Sequence, residues 1–448
     1  MKRIVVLGGK ESGTGAAVLA LQKGFDVFLS DNGTLTPEYV GILKKYNIPY
    51  EEGGHTHEFI LNADEIIKSP GIPEAIPVMR EIRAKNIPVI SEIEFAGRYC
   101  NAKKICITGS NGKTTTSSLI YFLLKNAGLN VGLAGNIGKS YAYQVATENY
   151  DYYVLEISSF QLDDMYGFKA DIAVLLNITP DHLDRYNYDT RNYINSKFKI
   201  TQNMRSEDCF IFCSDDEITM GNLKKIVLKA KMLPVTQTRI IEKDGAYVFE
   251  NKIIANYNYS EFQILIDDLS LNGKHNVYNS MVTAIAGKIL NISNSVIRAS
   301  LVGFKGIEHR LEKLGKVKGV EFINDSKATN VNSAWYALES VHGKIIWIVG
   351  GTDKGNDYSP LFELVKAKVR AIVCLGVDNT KIIENFKPIV PVIVETRSAK
   401  IAVTKAFELA EPDNTVLLSP ACASFDLFKN YEDRGKKFKK AVEELMSE

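Results

Sequence analysis

Gly109-Ser110-Asn111-Gly112-Lys113-Thr114 stands between the apolar run Lys104-Ile105-Cys106-Ile107-Thr108 and an amphipathic stretch, a setting that suits a phosphate group. Glycines let backbone N–H groups turn inward, a helix N-terminus adds partial positive charge, a lysine reaches the terminal phosphates, and a Thr hydroxyl can ligate Mg²⁺. Thr115 continues the run. The common loop of this kind has four residues between its glycines and this one has two, but strand, loop, Gly-Lys-Thr and helix coincide, which a plain strand-to-helix turn does not require. Mg²⁺ needs further oxygen ligands. Glu156 closes the apolar run that starts at Asp151 and is the natural supplier, the competing reading being a solvated strand-end acid. His182, in Asp181-His182-Leu183-Asp184-Arg185, follows the run Ala173–Thr179 and reaches the same sheet edge, where a lone histidine is more often a cap or a packing residue than a ligand.

Other polar turns also follow strand-like runs. Gly8-Gly9-Lys10-Glu11-Ser12-Gly13 opens a helix after the first strand, and Asp31 ends the second. This approaches a dinucleotide fingerprint without meeting it, because Lys10 stands where close approach to a pyrophosphate needs glycine. A nucleotide-sugar diphosphate at that crevice remains open, with Ser69-Pro70-Gly71 as a second phosphate turn. Further on, Asn324–Asn330 and Gly350–Gly355 each present a lysine, Lys327 and Lys354, in a turn-forming setting that suits a small carboxylate. As isolated strings both read as surface loops.

These turns need a scaffold. The first hundred residues alternate short β-branched runs with helical segments, the pattern of βαβ units and a parallel sheet. A second such series starts near Ala102, a looser antiparallel edge or flap is expected over 239–268, and a third series with five strand candidates starts near Gly306 and ends in the basic helix of RGKKFKKAVEELM. At roughly 150 residues per domain, 448 residues make about three domains. Net charge is +1, which excludes an overall field for nucleic acid or anionic membrane, so anionic ligands need local sites. Six scattered cysteines without a C-x-x-C pair read as reduced thiols. No stretch reaches the ~18–20 apolar residues of a membrane span, and the N-terminus lacks a signal peptide's long apolar region and cleavage site. A soluble cytoplasmic protein is expected.

In order along the whole chain, Ser69-Pro70-Gly71, GSNGKTTT from Gly109, GNIG from Gly135, LEISSFQL from Leu155, NITPDHLDR from Asn177, NSKF around Lys197, GKHNVYN from Gly273, Glu308-His309-Arg310, NDSKATN from Asn324 and SPACASFDLFKNYEDRG from Ser419 resemble the motifs of the Mur ligases. The shortened phosphate loop is itself typical of that family. The last two strings favour its D-glutamate-adding branch over relatives that add L-alanine, a diamino acid or a dipeptide, and SPACASFDLFKNYEDRG argues against a folylpolyglutamate-type synthetase.

The resemblance implies three α/β domains, each with a largely parallel sheet: a Rossmann-like UDP-binding domain over 1–98, a P-loop-type ATPase domain over 99–305 and a Rossmann-like D-glutamate-binding domain over 306–448. It implies an ATP-dependent amide ligase of peptidoglycan precursor synthesis that adds D-glutamate to UDP-N-acetylmuramoyl-L-alanine through an acyl phosphate. ATP and two Mg²⁺ ions are the expected cofactors, and the expected form is a monomer acting on small molecules. The catalytic set carried over is Lys113, Glu156, His182 and Lys197, with Thr114, Glu156, His182 and Lys197 as metal ligands and Lys197 carbamylated. ATP falls to Gly109–Thr115, Asn276 and Arg310, with His309 beside the nucleotide. The UDP substrate falls to Ser12, Asp31, Ser69, Pro70, Gly71, Asn136, Gln161 and His182. D-Glutamate falls to Lys327, Thr329, Lys354, Ser424, Phe425 and Tyr431. A nucleotide-binding regulator without chemistry would leave this complete set unexplained, and an NAD-dependent oxidoreductase would leave GSNGKTTT unexplained.

Overall fold

The computed structural model describes residues 1–181, 183–271, 273–353 and 355–447, with Asp184 described by its backbone alone. Three sheets follow one another among the described residues. The first holds β1 (Arg3–Leu7), β2 (Asp26–Asp31), β3 (Tyr50–Glu52), β4 (Glu65–Lys68) and β5 (Val89–Ser91), all parallel, in the order β3-β2-β1-β4-β5. Helices cover both faces of a parallel sheet, so its strands are apolar runs rather than alternations. Ile4 to Leu7 are accordingly all buried.

The second sheet contains β6 (Lys103–Thr108), β7 (Val131–Gly135), β8 (Tyr152–Glu156), β9 (Ile172–Leu175), β10 (Cys209–Cys213), β11 (Lys231–Thr236), β12 (Gly245–Phe249), β13 (Lys252–Tyr257) and β14 (Ser260–Leu265). Their order is β14-β13-β12-β11-β10-β9-β6-β8-β7. Only the β12–β13–β14 meander is antiparallel, the looser edge expected over 239–268. The third sheet, β15 (Glu312–Val317), β16 (Val320–Asn324), β17 (Ile345–Val349), β18 (Val369–Leu375), β19 (Val392–Thr396) and β20 (Thr415–Leu418), has the order β15-β16-β20-β17-β18-β19. The sequence pattern predicts five of these strands and misses β15. That edge strand is mostly polar and exposed, and its register slips between Lys313 and Gly315, so no apolar run announces it.

In each sheet the strand order reverses, and an open α/β sheet binds ligands outside the carboxyl ends of its strands at such a point. In the first sheet this lies between β1 and β4, in the second beside β6, and in the third around β20. The turns singled out from sequence, at Gly8, Ser69, Gly109, Asn324, Gly350 and Ser419, all leave strands at these positions.

The chain forms two compact units, one of residues 1–269 with 277–304 and one of 270–276 with 305–448. The first two sheets share a unit because their helices share a core. Ala16, Ala17 and Ala20 of helix Glu11–Gln22 are buried in one cluster with Tyr141 and Ala142 of helix Tyr141–Thr147. Polar groups lock the same contact. Glu92, almost fully buried, accepts from the Ser140 hydroxyl and the Ala142 N–H, both at 2.7 Å, while Glu11 accepts from Ser140 N–H at 2.8 Å. Within the second unit, fully buried Trp347 of β17 stands edge-on to Phe386 and donates its indole N–H to Ser419 O at 2.8 Å, pinning the loop after β20 to the core.

Burial pushes the Glu92 carboxyl up from 4.5 to about 7, against the pull of its Ala142 and Ser140 hydrogen bonds. Between these values the folded state binds more protons than the unfolded chain, so stability falls as pH rises through that window, by about 3 kcal/mol in total at 1.36 kcal/mol per pH unit. Glu92→Gln keeps an acceptor for Ser140 and Ala142 and removes the charge. Its melting temperature should exceed that of the wild type at pH 8 and match it near pH 5; equal gaps at both pH values would refute the burial argument.

Candidate functional site

The phosphate loop is held from several sides. Gly112, at φ +84°, is the N-cap of helix Lys113–Asn126, and a Cβ there would stand 2.9 Å from Asn279 Oδ1, so glycine is needed for both conformation and space. Ser110 N–H donates to Asn177 O, and Asn177 brackets the next residue, accepting from Asn111 N–H at 2.9 Å and donating to Asn111 O at 3.1 Å. The Ser110 hydroxyl donates to Thr179 O and lies 2.9 Å from the Tyr193 hydroxyl. Asn279 accepts from Thr116 on the same helix. Thr114 and Thr115 are buried in its first turn.

Two lysines converge on this loop. Lys113 Nζ donates to Gly109 O and Ser110 O, both at 2.8 Å. Lys197 Nζ, from helix Thr190–Phe198, donates to the same Gly109 O at 2.9 Å and to Thr108 Oγ1 at 3.2 Å. Burial, and then the charge of Lys113, hold the Lys197 amine well below its usual range, although Asp181, Glu156 and Asp163 pull it back up. Glu156 is 1% exposed. Its Oε1 accepts from Asn136 Nδ2 at 2.8 Å, while Oε2 is buried without a hydrogen-bond partner among the described residues. An orphaned carboxylate oxygen carries a desolvation cost that a bound cation removes. Together with the hydroxyl of Thr114, it fits Mg²⁺, a cation that takes oxygen ligands. His182 lies outside the described residues.

In the first sheet, Gly13 packs so tightly on the turn after β1 that a Cβ would fall 1.6 Å from Gly8 O. Asp31 accepts from Gly9 N–H at 2.6 Å and Gly33 N–H at 2.7 Å, so both of its oxygens shape this turn. Ser69 donates to Gly8 O, which joins the two turns at the switch point. Ser12 is half-buried in the first turn of helix Glu11–Gln22, and Pro70 and Gly71 complete the second turn. Gln161 is committed locally: its Oε1 accepts from the N–H and hydroxyl of Ser158 in a capping box.

The C-terminal unit gathers its three loops on one buried cation. Arg434 donates to Ser326 Oγ, Ser326 O, Gly350 O and Cys422 O, joining the loops after β16, β17 and β20. Burial lowers its guanidinium to about 10. Lys327 Nζ lies 5.3 Å from the centroid of the Tyr431 ring, Ser424 is buried, Thr329 is exposed, and Phe425, next to Ser424 in sequence, is 69% exposed. Burial pushes Asp325 up to about 7 despite the opposing charge of Arg310. His275, stacked at a tilt on Tyr336, is pushed down to about 4 by burial and then by Arg310. Asn276 and His309 are buried in this unit, and the Arg310 Nε is buried without a hydrogen-bond partner among the described residues. Lys354 lies outside the described residues.

Four residues of these arrangements carry no role in the sequence reading: Asn177, Tyr193, Asn279 and Arg434. Asn177 had a signal, a polar side chain interrupting an apolar strand end next to the phosphate loop's partner strand. The others act across long sequence separations.

This fold and loop define a P-loop-type α/β protein built to handle nucleoside triphosphate phosphates. The MurD N-terminal domain family matches residues 4–76, the Mur ligase middle domain family 107–287, and the Mur ligase glutamate ligase domain family 309–422. A protein of Bacteroides fragilis named UDP-N-acetylmuramoylalanine–D-glutamate ligase is 56% identical over 99% of this chain and 100% of its own length. One of the same name from Christiangramia forsetii is 50% identical over 99% and 100%. Among solved structures, the UDP-N-acetylmuramate–alanine ligase MurC of Thermotoga maritima superposes with a TM-score of 0.62 at 18% identity over 99% of both chains, a likeness of fold. The chain belongs to the Mur ligase family, whose members are ATP-dependent ligases.

Asn177→Ala removes both side-chain bonds to the Asn111 backbone, worth roughly 0.5–1.5 kcal/mol each. ATP affinity measured by calorimetry should fall about tenfold; unchanged affinity would show that the loop keeps its shape without this bracket.

Proposed function

We propose that this chain joins D-glutamate to UDP-N-acetylmuramoyl-L-alanine with cleavage of ATP to ADP and phosphate, in cytoplasmic peptidoglycan precursor synthesis, and that it acts as a monomer. The observation that carries this is full-length identity above half to relatives named for that reaction; the convergence of Lys113, Lys197 and Glu156 on one phosphate loop supports it. All six cysteines are free, and among the described residues no helix is long and apolar enough to cross a membrane. UDP binding is assigned to residues 1–98, ATP to 99–305 and D-glutamate to 306–448.

A carboxylate is a poor electrophile at neutral pH. Its oxygen first attacks the γ-phosphorus of ATP in line, ADP leaves, and the amine of D-glutamate then attacks the acyl carbon, expels phosphate and loses a proton. Lys113 leaves the loop carbonyls for the β- and γ-phosphates, whose negative charge competes better for an ammonium than neutral carbonyls do. Backbone N–H groups of Gly109–Gly112 and the start of helix Lys113–Asn126, with Thr115, cradle the rest. Mg²⁺, held by Thr114 and Glu156 and at a second position by His182 and Lys197, would neutralise charge on the transferring phosphoryl group. Lys197 holds its oxygen ligand as a carbamate, formed when its neutral amine adds to CO₂ with loss of one proton. The depressed basicity of that amine supports this, because an ammonium cannot react.

Ser12, Asp31, Ser69, Pro70, Gly71, Asn136 and Gln161 are assigned to the muramoyl nucleotide, Asp31 and Gln161 through the turns they hold together. Lys327, Thr329, Lys354, Ser424, Phe425 and Tyr431 are assigned to D-glutamate, whose two carboxylates match two lysines. Asn276 and Arg310 are assigned to ATP, with His309 beside them.

Phosphate release from ATP with UDP-N-acetylmuramoyl-L-alanine should occur with D-glutamate and not with L-glutamate, L-alanine or a diamino acid, giving a product heavier by one glutamyl residue. Release with another amino acid instead would move the chain to a different specificity. Lys197→Ala should lose at least a hundredfold in kcat, and short carboxylic acids should restore part of it by placing a carboxylate where the carbamate stood. No restoration at any concentration would refute the carbamate.

A further inference from the structure

Arg185 takes no part in the chemistry above, yet it joins its own loop to two other segments of the site. One terminal nitrogen donates to Pro70 O at 3.3 Å and Ile72 O at 3.2 Å, and the guanidinium carbon stands 4.5 Å from the centroid of the Phe160 ring. Arg185 belongs to the loop after β9, Phe160 to the helix after β8, and Pro70 to the turn after β4. Phe160 is stacked on Tyr186, whose hydroxyl donates to Asp163 at 2.8 Å, so the platform under the guanidinium is itself fixed. The residue just before the turn is anchored separately: Lys68 Nζ pairs with Asp164 at 2.9 Å.

The turn held by this grip has an unusual conformation for its sequence. Ile72 N–H donates to Ser69 O at 3.1 Å, closing a β-turn with Pro70 and Gly71 at its centre. Pro followed by Gly at these positions suits a type II turn, in which the glycine has φ near +80°. Gly71 is instead absent from the glycines of positive φ, so the Pro70–Gly71 peptide plane faces the other way. A trans peptide points its C=O and the following N–H in opposite directions. Holding Pro70 O toward Arg185 therefore turns Gly71 N–H away from it. The other gripped carbonyl, that of Ile72, precedes Pro73, which has no N–H to aim. Gly71 N–H is thus the one donor whose direction the grip sets, and a flip to the type II form would reverse it.

We propose that Arg185 is a positioning residue that selects the orientation of the Pro70–Gly71 peptide and thereby couples the muramoyl-nucleotide turn to the loop carrying Asp181 and His182. It rests on the reading that the turn after β4 receives the UDP substrate. The full-length wild type, R185A and R185A/G71A are to be compared by calorimetry with UDP-N-acetylmuramoyl-L-alanine and, separately, with ATP. R185A should weaken the muramoyl nucleotide at least tenfold and leave ATP within twofold, a split that general loosening would not produce. Adding G71A should recover threefold or more, because alanine disfavours the positive φ of the flipped turn and a Cβ at Gly71 meets nothing within 4 Å. Unchanged binding by R185A, equal losses for both ligands, or no recovery in the double variant would each overturn the role of Arg185. A wild type that fails to bind the muramoyl nucleotide would instead overturn the functional reading on which that role rests.

Discussion

Two ammonium-bearing side chains, Lys113 and Lys197, meet at a single backbone oxygen, that of Gly109, within reach of the electrostatic influence of Glu156. Like charges held this close in a buried setting raise the cost of keeping both protonated, and the carboxylate that offsets them has one oxygen without a hydrogen-bond partner among the described residues. The arrangement is poorly satisfied by itself and suited to a ligand that brings both negative charge and a cation. Much of the surrounding architecture serves to keep it from relaxing. Asn177 and Asn279 brace the loop from the neighbouring strand end and helix, and Tyr193 braces it from the helix that carries Lys197. Such preorganisation is what allows electrostatic stabilisation without a reorganisation cost at the moment of reaction.

Loop control by arginine recurs in both units. Arg185 and Arg434 donate to main-chain carbonyls, and in Arg434 the planar fork reaches three loops at once. A guanidinium suits this use because its donors diverge in one plane and it is more weakly hydrated than an ammonium, so burial costs it less. The loops themselves leave parallel strands at switch points, where neighbouring connections run to opposite sides and leave a crevice. The fold supplies the crevice; these arginines hold the loops at its rim.

The shared core of the first two sheets has a functional consequence. The turns after β1 and β4 are tied to the second sheet because Ser140 donates to both Glu11 and Glu92, and Ala142 to Glu92, across the helices between them. Small residues along helix Glu11–Gln22 make that close packing possible, since a Cβ at Gly15 would lie 2.0 Å from Ser140 Oγ. Polar locking and small-residue packing here do the same work, one by direction and the other by distance.

Much of this was legible in the chain itself. Apolar runs ending in Gly, Ser, Asn or Asp located most strands and the polar turns at their carboxyl ends, because a parallel sheet buried on both faces writes itself as uninterrupted β-branched residues followed by polar ones at its open edge. The phosphate loop, Lys113 and Glu156 were readable for that reason, as local signals. Edge strand β15 was not, since an exposed strand has no apolar signature. Nor were the bracket of Asn177, the grip of Arg185 on a turn more than a hundred residues earlier, or the clamp of Arg434. The sequence by itself determined most of the segments that become strands and the polar turns that leave their carboxyl ends, because both follow from residue type and near-neighbour spacing. Only the tertiary structure decided that Lys197 shares an oxygen with Lys113, that Asp31 and Gln161 hold turns together, and which way the Pro70–Gly71 peptide faces. Those outcomes depend on burial and on hydrogen bonds between distant segments, which no local pattern encodes.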